Sequence, residues 1–290
     1  MRVLVAPTWS FGRDKRLVSE CVDLIEETGA DLHYCESDVD LNLTTMSFSG
    51  RPDNVLTSTL SIAEKVLPSI DLTRHSSPLT RTGALDTCPV VWFGAESDGL
   101  KWTRALADAL ATNHGTPVML TDLSETGRPE WEVIDMRRGG FGCLVGRTLL
   151  PDFGPDIAHE RLGVTCMGLR PFFIRLNAYL APLNLHAVRR VVDKIRHRRL
   201  DGDYRMTGVR VRGTVLPSRD QSLISLELTM PELVPIESTM EHLICQADAH
   251  GLELCYWQVA GAIRDIDLLA TPSLHPRACQ VIWTTRVESH

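Results

Sequence analysis

The order of predicted strands and helices is repeated in the two halves of the chain, and this repeat restricts the possible folds more than any other feature. In each half the hydrophobic pattern predicts a strand, a helix, two strands, a helix and a strand. In the first half the strands are expected at 3–6, 31–35, 42–49 and 89–93, with helices starting near Asp14 and Gly50. In the second half the strands are expected at 172–176, 208–215, 223–230 and 252–256, with helices at 186–197 and 236–250. This order predicts an α+β protein of two lobes, each a sheet with helices on one face.

The length and the apolar content agree with this division. The chain has 290 residues, of which 43% are hydrophobic, so two lobes of roughly 100–200 residues can each bury a core. The amino-acid sequence itself is not repeated in the two halves, and no low-complexity linker lies between them. We therefore expect the lobes to share an interface and a cleft.

Composition argues against several classes of partner. The formal net charge is −7, so the chain lacks the excess of basic residues that indicates nucleic-acid binding. No apolar run reaches the ~18 residues that a membrane-spanning helix needs, and the N-terminal apolar stretch is too short for a signal peptide. The eight cysteines form no C-x-x-C pair, which favours reduced thiols in the cytoplasm over disulfides or a zinc site. We expect a cytoplasmic protein that binds no metal, nucleic acid or membrane.

A set of short motifs gives the chain a family resemblance. Residues 81–86 read Arg-Thr-Gly-Ala-Leu-Asp, residues 151–155 read Pro-Asp-Phe-Gly-Pro, and residues 70–75 read Ile-Asp-Leu-Thr-Arg-His. Further fragments lie at 7–14, 42–52, 163–177 and 258–261. In this order and spacing they resemble the formiminotransferase domain family, whose active segment has the pattern H-x-G-E-H-P-R-M-G-A-L/T-D-V.

The resemblance implies a fold, an activity and a cofactor. Members of the family move a formimidoyl group from N-formimidoylglutamate to N5 of tetrahydrofolate. Their domain consists of two ferredoxin-like α/β sandwich subdomains with a cleft or tunnel between them, and it forms homodimers. On this chain the subdomains would occupy residues 1–172 and 173–290. The family's cyclodeaminase domain follows this domain when the two are fused; since the chain ends at His290, we expect the transferase module alone.

The family's catalytic position is changed in this chain. The histidine that accepts the proton in the family falls on Leu79, and its neighbours are replaced by Pro78 and Thr80. A hydrocarbon side chain cannot transfer a proton, so another group would have to take over. His75, four residues upstream, and Glu36, where the family has an aspartate, are the candidate catalytic residues. Each of the two also has a structural interpretation: His75 would stabilise a loop, and Glu36 would form part of a turn.

The resemblance also indicates which residues would contact folate. Its folate-contacting stretch corresponds to residues 154–163, in which Gly154, Pro155, His159, Arg161 and Gly163 are the candidates.

Two more residues are folate candidates outside that stretch. Arg81 could hold a carboxylate through paired N–H donors, and Gln258 could hydrogen-bond the pterin. The alternatives are a salt bridge for Arg81, a buried amide for Gln258 and a solvated loop position for His159.

Three functions remain open at this stage. The first is a tetrahydrofolate-dependent formimidoyl (one-carbon) transferase acting on a small amine or amino acid, for which a specialised biosynthetic pathway is one setting. The second is a non-catalytic homologue that binds folate or a partner protein. The third is a cleft that has acquired new chemistry. The ordered motif set favours the first.

Overall fold

The structure, a computed structural model, describes residues 1–125 and 138–283. The chain divides into two units, Met1–Arg170 and Pro171–His290. Each unit is described separately below.

The first unit contains a mixed sheet with helices. Its strands are β1 (Arg2–Val5), β2 (Thr8–Trp9), β3 (Asp31–Asp38), β4 (Leu43–Gly50), β5 (Leu85–Phe93), β6 (Val118–Leu120) and β7 (Thr165–Leu169). Its helices are α1 (Lys15–Glu27), α2 (Pro52–Val66), α3 (Glu96–His114) and the short α4 (Gly140–Leu144).

The strands of this unit form one seven-stranded sheet. β3 lies at one edge and pairs with β4; β1 and β2 lie end to end between β4 and β5, all in antiparallel pairs. β7 pairs with β5 and with β6, both in parallel. The sequence did not predict β7, because its five residues, Thr-Cys-Met-Gly-Leu, are buried throughout and show no alternation.

The main core of the first unit lies between the sheet and helices α1–α3. Trp9, Met46 and Phe48 on the strands are fully buried, and the adjoining apolar residues come from all three helices. Helix α1 begins as its sequence predicts, since the Asp14 carboxylate accepts the N–H groups of Arg16 and Leu17 at 3.0 Å each. Such an N-cap contributes about 0.5–2 kcal/mol.

A smaller apolar cluster lies on the opposite face of the same sheet. It consists of Met119, Leu144, Leu149, Ala158, Val164 and Cys166. Met119 and Cys166 alternate along their strands with residues of the main core, so they point to the other face. This cluster anchors the stretch around residue 158 to the sheet.

The second unit follows the predicted order of strands and helices. Its elements are β8 (Ile174–Ala181), α5 (Leu185–Leu200), β9 (Val209–Leu216), β10 (Gln221–Leu228), α6 (Ile236–Asp248), β11 (Glu253–Val259), β12 (Ile263–Arg264), α7 (Asp265–Leu269) and β13 (Val281–Ile282). Four strands form an antiparallel sheet in the order β11-β8-β10-β9, and β12 pairs in parallel with β13.

Helix α5 packs directly on one face of the four-stranded sheet. A Cβ atom added to Gly213 on β9 would lie 2.3 Å from Val188 Cγ1 and 2.9 Å from Val192 Cγ2, both on α5. Only glycine allows this approach. On β8 the alternate residues Asn177 and Tyr179 point to the face without helices.

The predicted α+β class is confirmed by these sheets and helices. The part of the chain that the structure describes contains no helix long and apolar enough to cross a membrane.

Candidate functional site

The topology of the first sheet brings several predicted residues to one end of its strands. β2 and β3 end there, whereas β4, β5 and β7 begin there, because β4 is antiparallel to β2 and β3, and β7 is parallel to β5. Four segments therefore meet at this end of the strands, which we call the site edge: 10–13, 39–42, 75–84 and 154–164. His75, Leu79 and Arg81 lie in it.

The segment 75–79 is fastened to the loop before β4. His75 Nε2 lies 3.0 Å from the carbonyl oxygen of Asn42, and Ser77 Oγ donates to the carbonyl oxygen of Leu41 at 2.7 Å. The backbone N–H of Leu79 donates in turn to Ser77 Oγ at 3.2 Å. Hydrogen bonds thus fix the position of the segment in which this chain differs from the family's active-segment pattern.

Arg13 joins the same two segments from the loop after β2. Its guanidinium donates to the carbonyl oxygens of Val39 at 3.2 Å and of Ser76 at 3.3 Å. Next to it, the N–H of Gly12 donates to Asn42 Oδ1 at 3.0 Å. Asn42 has a φ of 45°, a left-handed conformation in which asparagine is enriched among non-glycine residues.

Sequence reasoning gave no role to Arg13, Asn42 or Ser77. Arg13 and Asn42 belong to fragments that carry the family resemblance, and asparagine, the first residue of the strand predicted at 42–49, is a recognised turn residue. Their partners are far away along the chain, so the sequence could not reveal the contacts.

The environment of His75 favours the neutral imidazole. Burial is the main reason why its pKa is lowered from the ordinary value of 6.5, and the nearby cations Arg81 and Arg13 lower it further. The hydrogen bond to Asn42 and the charge of Asp86 act in the opposite direction without reversing the shift. At neutral pH His75 is in the form that can accept a proton.

A buried carboxylate organises residues 81–86. Asp86 is fully buried, and its Oδ1 accepts from both the N–H and the hydroxyl of Thr82 at 2.9 Å. The guanidinium of Arg81, 8% exposed, lies 3.4 Å from Asp86 Oδ2. Arg81 thus occupies a buried ion pair. Breaking such a pair by removing one partner typically costs about 3–5 kcal/mol.

Two glycines allow residues 82–84 to approach the segment that immediately precedes β7. A Cβ on Gly83 would lie 2.2 Å from the carbonyl oxygen of Val164, and one on Gly163 would lie 2.1 Å from that of Thr82. Gly163 also has a φ of +68°. Any side chain at either position would collide with backbone.

The stretch 154–163 ends in a turn closed by a histidine. His159 Nδ1 accepts the N–H groups of Arg161 and Leu162 at 3.1 Å each, and backbone bonds of 3.1 and 2.9 Å join His159 to Gly163. The pKa of His159 is lowered, mainly by burial and then by the charge of Arg161. Because Nδ1 accepts, the neutral ring carries its proton on Nε2.

Arg161 connects this turn to the chain just before His75. Its guanidinium donates to the carbonyl oxygens of Pro68 at 3.2 Å and Ile70 at 3.1 Å. Its own carbonyl oxygen accepts from the N–H of Leu72 at 2.9 Å. At the other end of the stretch, Gly154 has a φ of +87° and Pro155 is exposed.

Glu36 lies on β3, the edge strand, near the site edge. Its carboxylate accepts from the hydroxyl of Tyr34 at 2.7 Å. In register across the sheet it is followed by Thr45, Thr8 and Thr87. One flanking residue of each threonine is in the main core, so the threonines point to the face opposite the main core.

Gln258 belongs to the second unit. Its Oε1 accepts from the hydroxyl of Tyr179 at 3.0 Å and from Asn177 Nδ2 at 3.4 Å. The Tyr179 ring stacks on Tyr256 with centroids 4.5 Å apart, and Ser225 Oγ donates to Asn177 Oδ1 at 2.7 Å. These polar and aromatic groups lie on the face of the second sheet that carries no helix.

Comparison with known proteins identifies the family. The family model described as "Formiminotransferase domain, N-terminal subdomain" matches residues 2–170. The chain belongs to the formiminotransferase domain family. The match spans the whole first unit and therefore includes every segment of the site edge.

Relatives of this formiminotransferase-family protein are similar over most of its length. Formimidoyltransferase-cyclodeaminase of Sus scrofa is 26% identical over 265 residues, covering 89% of this chain and 49% of that protein. Glutamate formimidoyltransferase of Streptococcus pyogenes serotype M1 is 22% identical over 262 residues, covering 88% and 86%. The chain spans about half the length of the animal relatives. A microcompartment protein from Desulfitobacterium hafniense matches at 10% identity with a TM-score of 0.24, covering 95% and 96%, which is too distant to inform the fold.

Proposed function

We propose that this protein is a tetrahydrofolate-dependent formimidoyl transferase that acts between folate N5 and a small amino compound. The observation that carries the proposal is the family match over residues 2–170. The close packing of Gly83 and Gly163 and the Asp86 network around residues 81–86 support it, because they keep the site edge ordered.

The chemistry of the available groups fits a folate. The Nε2–H of His159 is a donor at the turn of the 154–163 stretch, and the amide of Gln258 with the stacked Tyr179 and Tyr256 offers hydrogen bonding beside flat aromatic surface. A pterin ring needs this combination. When bound, the folate would supply the nitrogen N5 that gains or loses the formimidoyl group. Pro155 and Arg161, which lie within the same stretch, would line the folate site.

The proposal includes a cleft. We propose that the two units are ferredoxin-like α/β sandwiches with the folate between them, in a cytoplasmic homodimer. The strand and helix order of the second unit supports this reading. In addition, each sheet carries polar groups on one face: Thr8, Thr45 and Thr87 opposite the main core in one unit, and Asn177 and Gln258 opposite α5 in the other.

The reaction requires a proton carrier. When an amine nitrogen attacks the amidine carbon, a new C–N bond forms and the attacking nitrogen must lose a proton. When the bond from that carbon to the departing nitrogen breaks, the departing nitrogen must gain one. A positioned base contributes ~10²–10⁴-fold. Leu79 cannot act as this carrier, and we assign the role to His75.

Glu36 has a different place in the proposal. As a carboxylate at the sheet edge it accepts a hydrogen bond from Tyr34. We assign it to hold the ammonium or amidinium group of the amino compound. Holding both reactants together can itself lower the barrier by several kcal/mol, about 7–11 in the most favourable cases.

The alternative candidate is a non-catalytic folate-binding homologue, and the aliphatic Leu79 at the family's proton-acceptor position favours it. Two experiments separate the functions. Quenching of tryptophan fluorescence by folinic acid tests binding, and absence of binding contradicts both candidates. Incubation of 5-formimidoyltetrahydrofolate with a panel of amines, followed by mass spectrometry, tests transfer. A formimidoylated amine supports the transferase, whereas binding without any transfer supports the alternative.

A further inference from the structure

The hydrogen bond between His75 and Asn42 determines which ring nitrogen carries the proton. A backbone carbonyl oxygen has lone pairs only, so His75 Nε2, 3.0 Å away, must be the donor. In the neutral ring the lone pair is then on Nδ1. Within the described residues, His75 Nδ1 has no hydrogen-bond partner.

We infer that Nδ1 of His75 is the proton-accepting atom of the transfer reaction, and that Asn42 is the positioning residue that holds the ring with its proton on Nε2. This inference rests on the proposed transferase function. The proton of the attacking nitrogen passes to Nδ1 as the new C–N bond forms. The resulting imidazolium returns this proton to the departing nitrogen as the old C–N bond breaks, so the ring ends unchanged.

Asn42 is suited to the positioning role by two contacts. Its carbonyl oxygen accepts from His75, and its side-chain Oδ1 accepts from the N–H of Gly12. The second bond ties the side chain of Asn42, whose φ is 45°, to the loop after β2. A Cβ on Gly12 would lie 2.4 Å from the carbonyl oxygen of Asp38, so the backbone at Gly12 packs closely against the segment that leads to Asn42.

The remaining contacts hold the same segment in place. Ser77 and Arg13 attach residues 76 and 77 to the loop before β4. The charged groups that act on the ring are Arg81, Arg13 and Asp86, and the two cations favour the neutral, proton-accepting form. The hydrogen bond to a carbonyl also increases the basicity of the opposite nitrogen, as it does for histidines that bind metals.

The tautomer can be measured without turnover. Long-range ¹H–¹⁵N NMR of histidine-labelled protein at pH 7.5, without ligand, distinguishes protonated from unprotonated ring nitrogens. The chain has ten histidines, and the His75→Gln variant assigns the His75 signals. We expect a protonated Nε2 and an unprotonated Nδ1. A proton on Nδ1 would overturn the inference.

Kinetics test the role of the ring itself. His75→Gln should lower kcat by ~10²-fold or more and leave the folinic acid dissociation constant unchanged. The matched control is His250→Gln, because His250 also donates a ring N–H to a backbone carbonyl, that of Gln246 at 2.8 Å, but in the second unit at the end of α6. This control should retain wild-type kcat. Wild-type kcat in His75→Gln would overturn the inference while the proposed function stands.

Asn42 needs a readout that a purely structural role would not change. Asn42→Ala should lower kcat more than it raises KM and should move the acidic limb of the pH–rate profile. Asn42→Asp keeps the acceptor and tolerates the left-handed φ, so it should recover most of kcat. An equal loss in both variants, or a change in KM alone, would overturn the positioning role. If the wild-type protein forms no formimidoyl product with any amine, the proposed function and the base assignment both fail, and the NMR spectrum shows separately whether the ring is held as described.

Discussion

Substitution of Gly163 by alanine tests whether the close backbone approach at the site edge is as strict as the geometry implies. Gly163 has a φ of +68°, and its added Cβ would lie 2.1 Å from the carbonyl oxygen of Thr82. The left-handed conformation costs a residue with a Cβ about 1–2 kcal/mol. Relieving the collision by moving backbone adds about 1–3 kcal/mol, as for overpacked cores.

The expected loss in the free energy of unfolding is therefore about 2–5 kcal/mol, a large part of the about 5–15 kcal/mol that stabilises a typical domain. The matched control is Gly115→Ala at the end of α3. Gly115 has a similar φ of +62°, and a Cβ there would meet nothing within 4 Å. Gly115→Ala should lose only the conformational part, about 1–2 kcal/mol.

Urea unfolding followed by far-UV circular dichroism measures both variants, and comparison of their m values checks that the same transition is observed. The difference between the two losses reports the steric part alone. A difference below ~0.5 kcal/mol, the size of an ordinary surface substitution, would contradict the expected collision and would mean that the turn adjusts without cost.

Three further predictions concern the site edge and the first helix. Leu79→His should raise the rate of formimidoyl transfer from N-formimidoylglutamate by ~10²-fold if only the base is missing. Mass spectrometry of the product measures this rate. No gain would mean that the pocket rejects this donor for other reasons. Asp14→Ala should lower the free energy of unfolding by about 1 kcal/mol through loss of the N-cap, whereas Asp23→Ala, mid-helix and exposed, should be nearly neutral in urea unfolding. The pKa of His159 is lowered in the folded protein, so its contribution to the stability of the fold is complete above the unfolded value near 6.5 and is lost as pH falls from there through the lowered pKa. His159→Gln should remove this part of the pH dependence of thermal unfolding. An unchanged pH dependence would contradict the turn closed by His159.

Local sequence signals predicted most secondary structure but not the complete first sheet. Helix α1 was predicted from Asp14 and the apolar spacing that includes Leu17, Cys21 and Ile25, and these are its cap and its buried stripe. Strand β7 was missed because a short, fully buried parallel strand lacks the alternation that marks a half-exposed one. Parallel pairing of β7 with β5 and β6 depends on contacts distant in sequence.

The candidate site shows the same division between local and distant information. The motif at 81–86 could be recognised in sequence, yet the partner of His75 is Asn42, 33 positions away. The carbonyl groups that accept from the Arg161 guanidinium, those of Pro68 and Ile70, are 93 and 91 positions away. No periodic pattern encodes such contacts. The sequence could therefore nominate His75 as a replacement for the missing base, but only the fold indicates which of its nitrogens is available.

Hydrogen exchange with and without folinic acid, read by mass spectrometry, tests most directly whether the site edge binds a folate. Folate binding at the site edge should slow exchange in segments 10–13, 39–42, 75–84 and 154–164, with little change in α5. Absence of any protection, or protection confined to segments away from the site edge, would show that the site edge does not bind a folate.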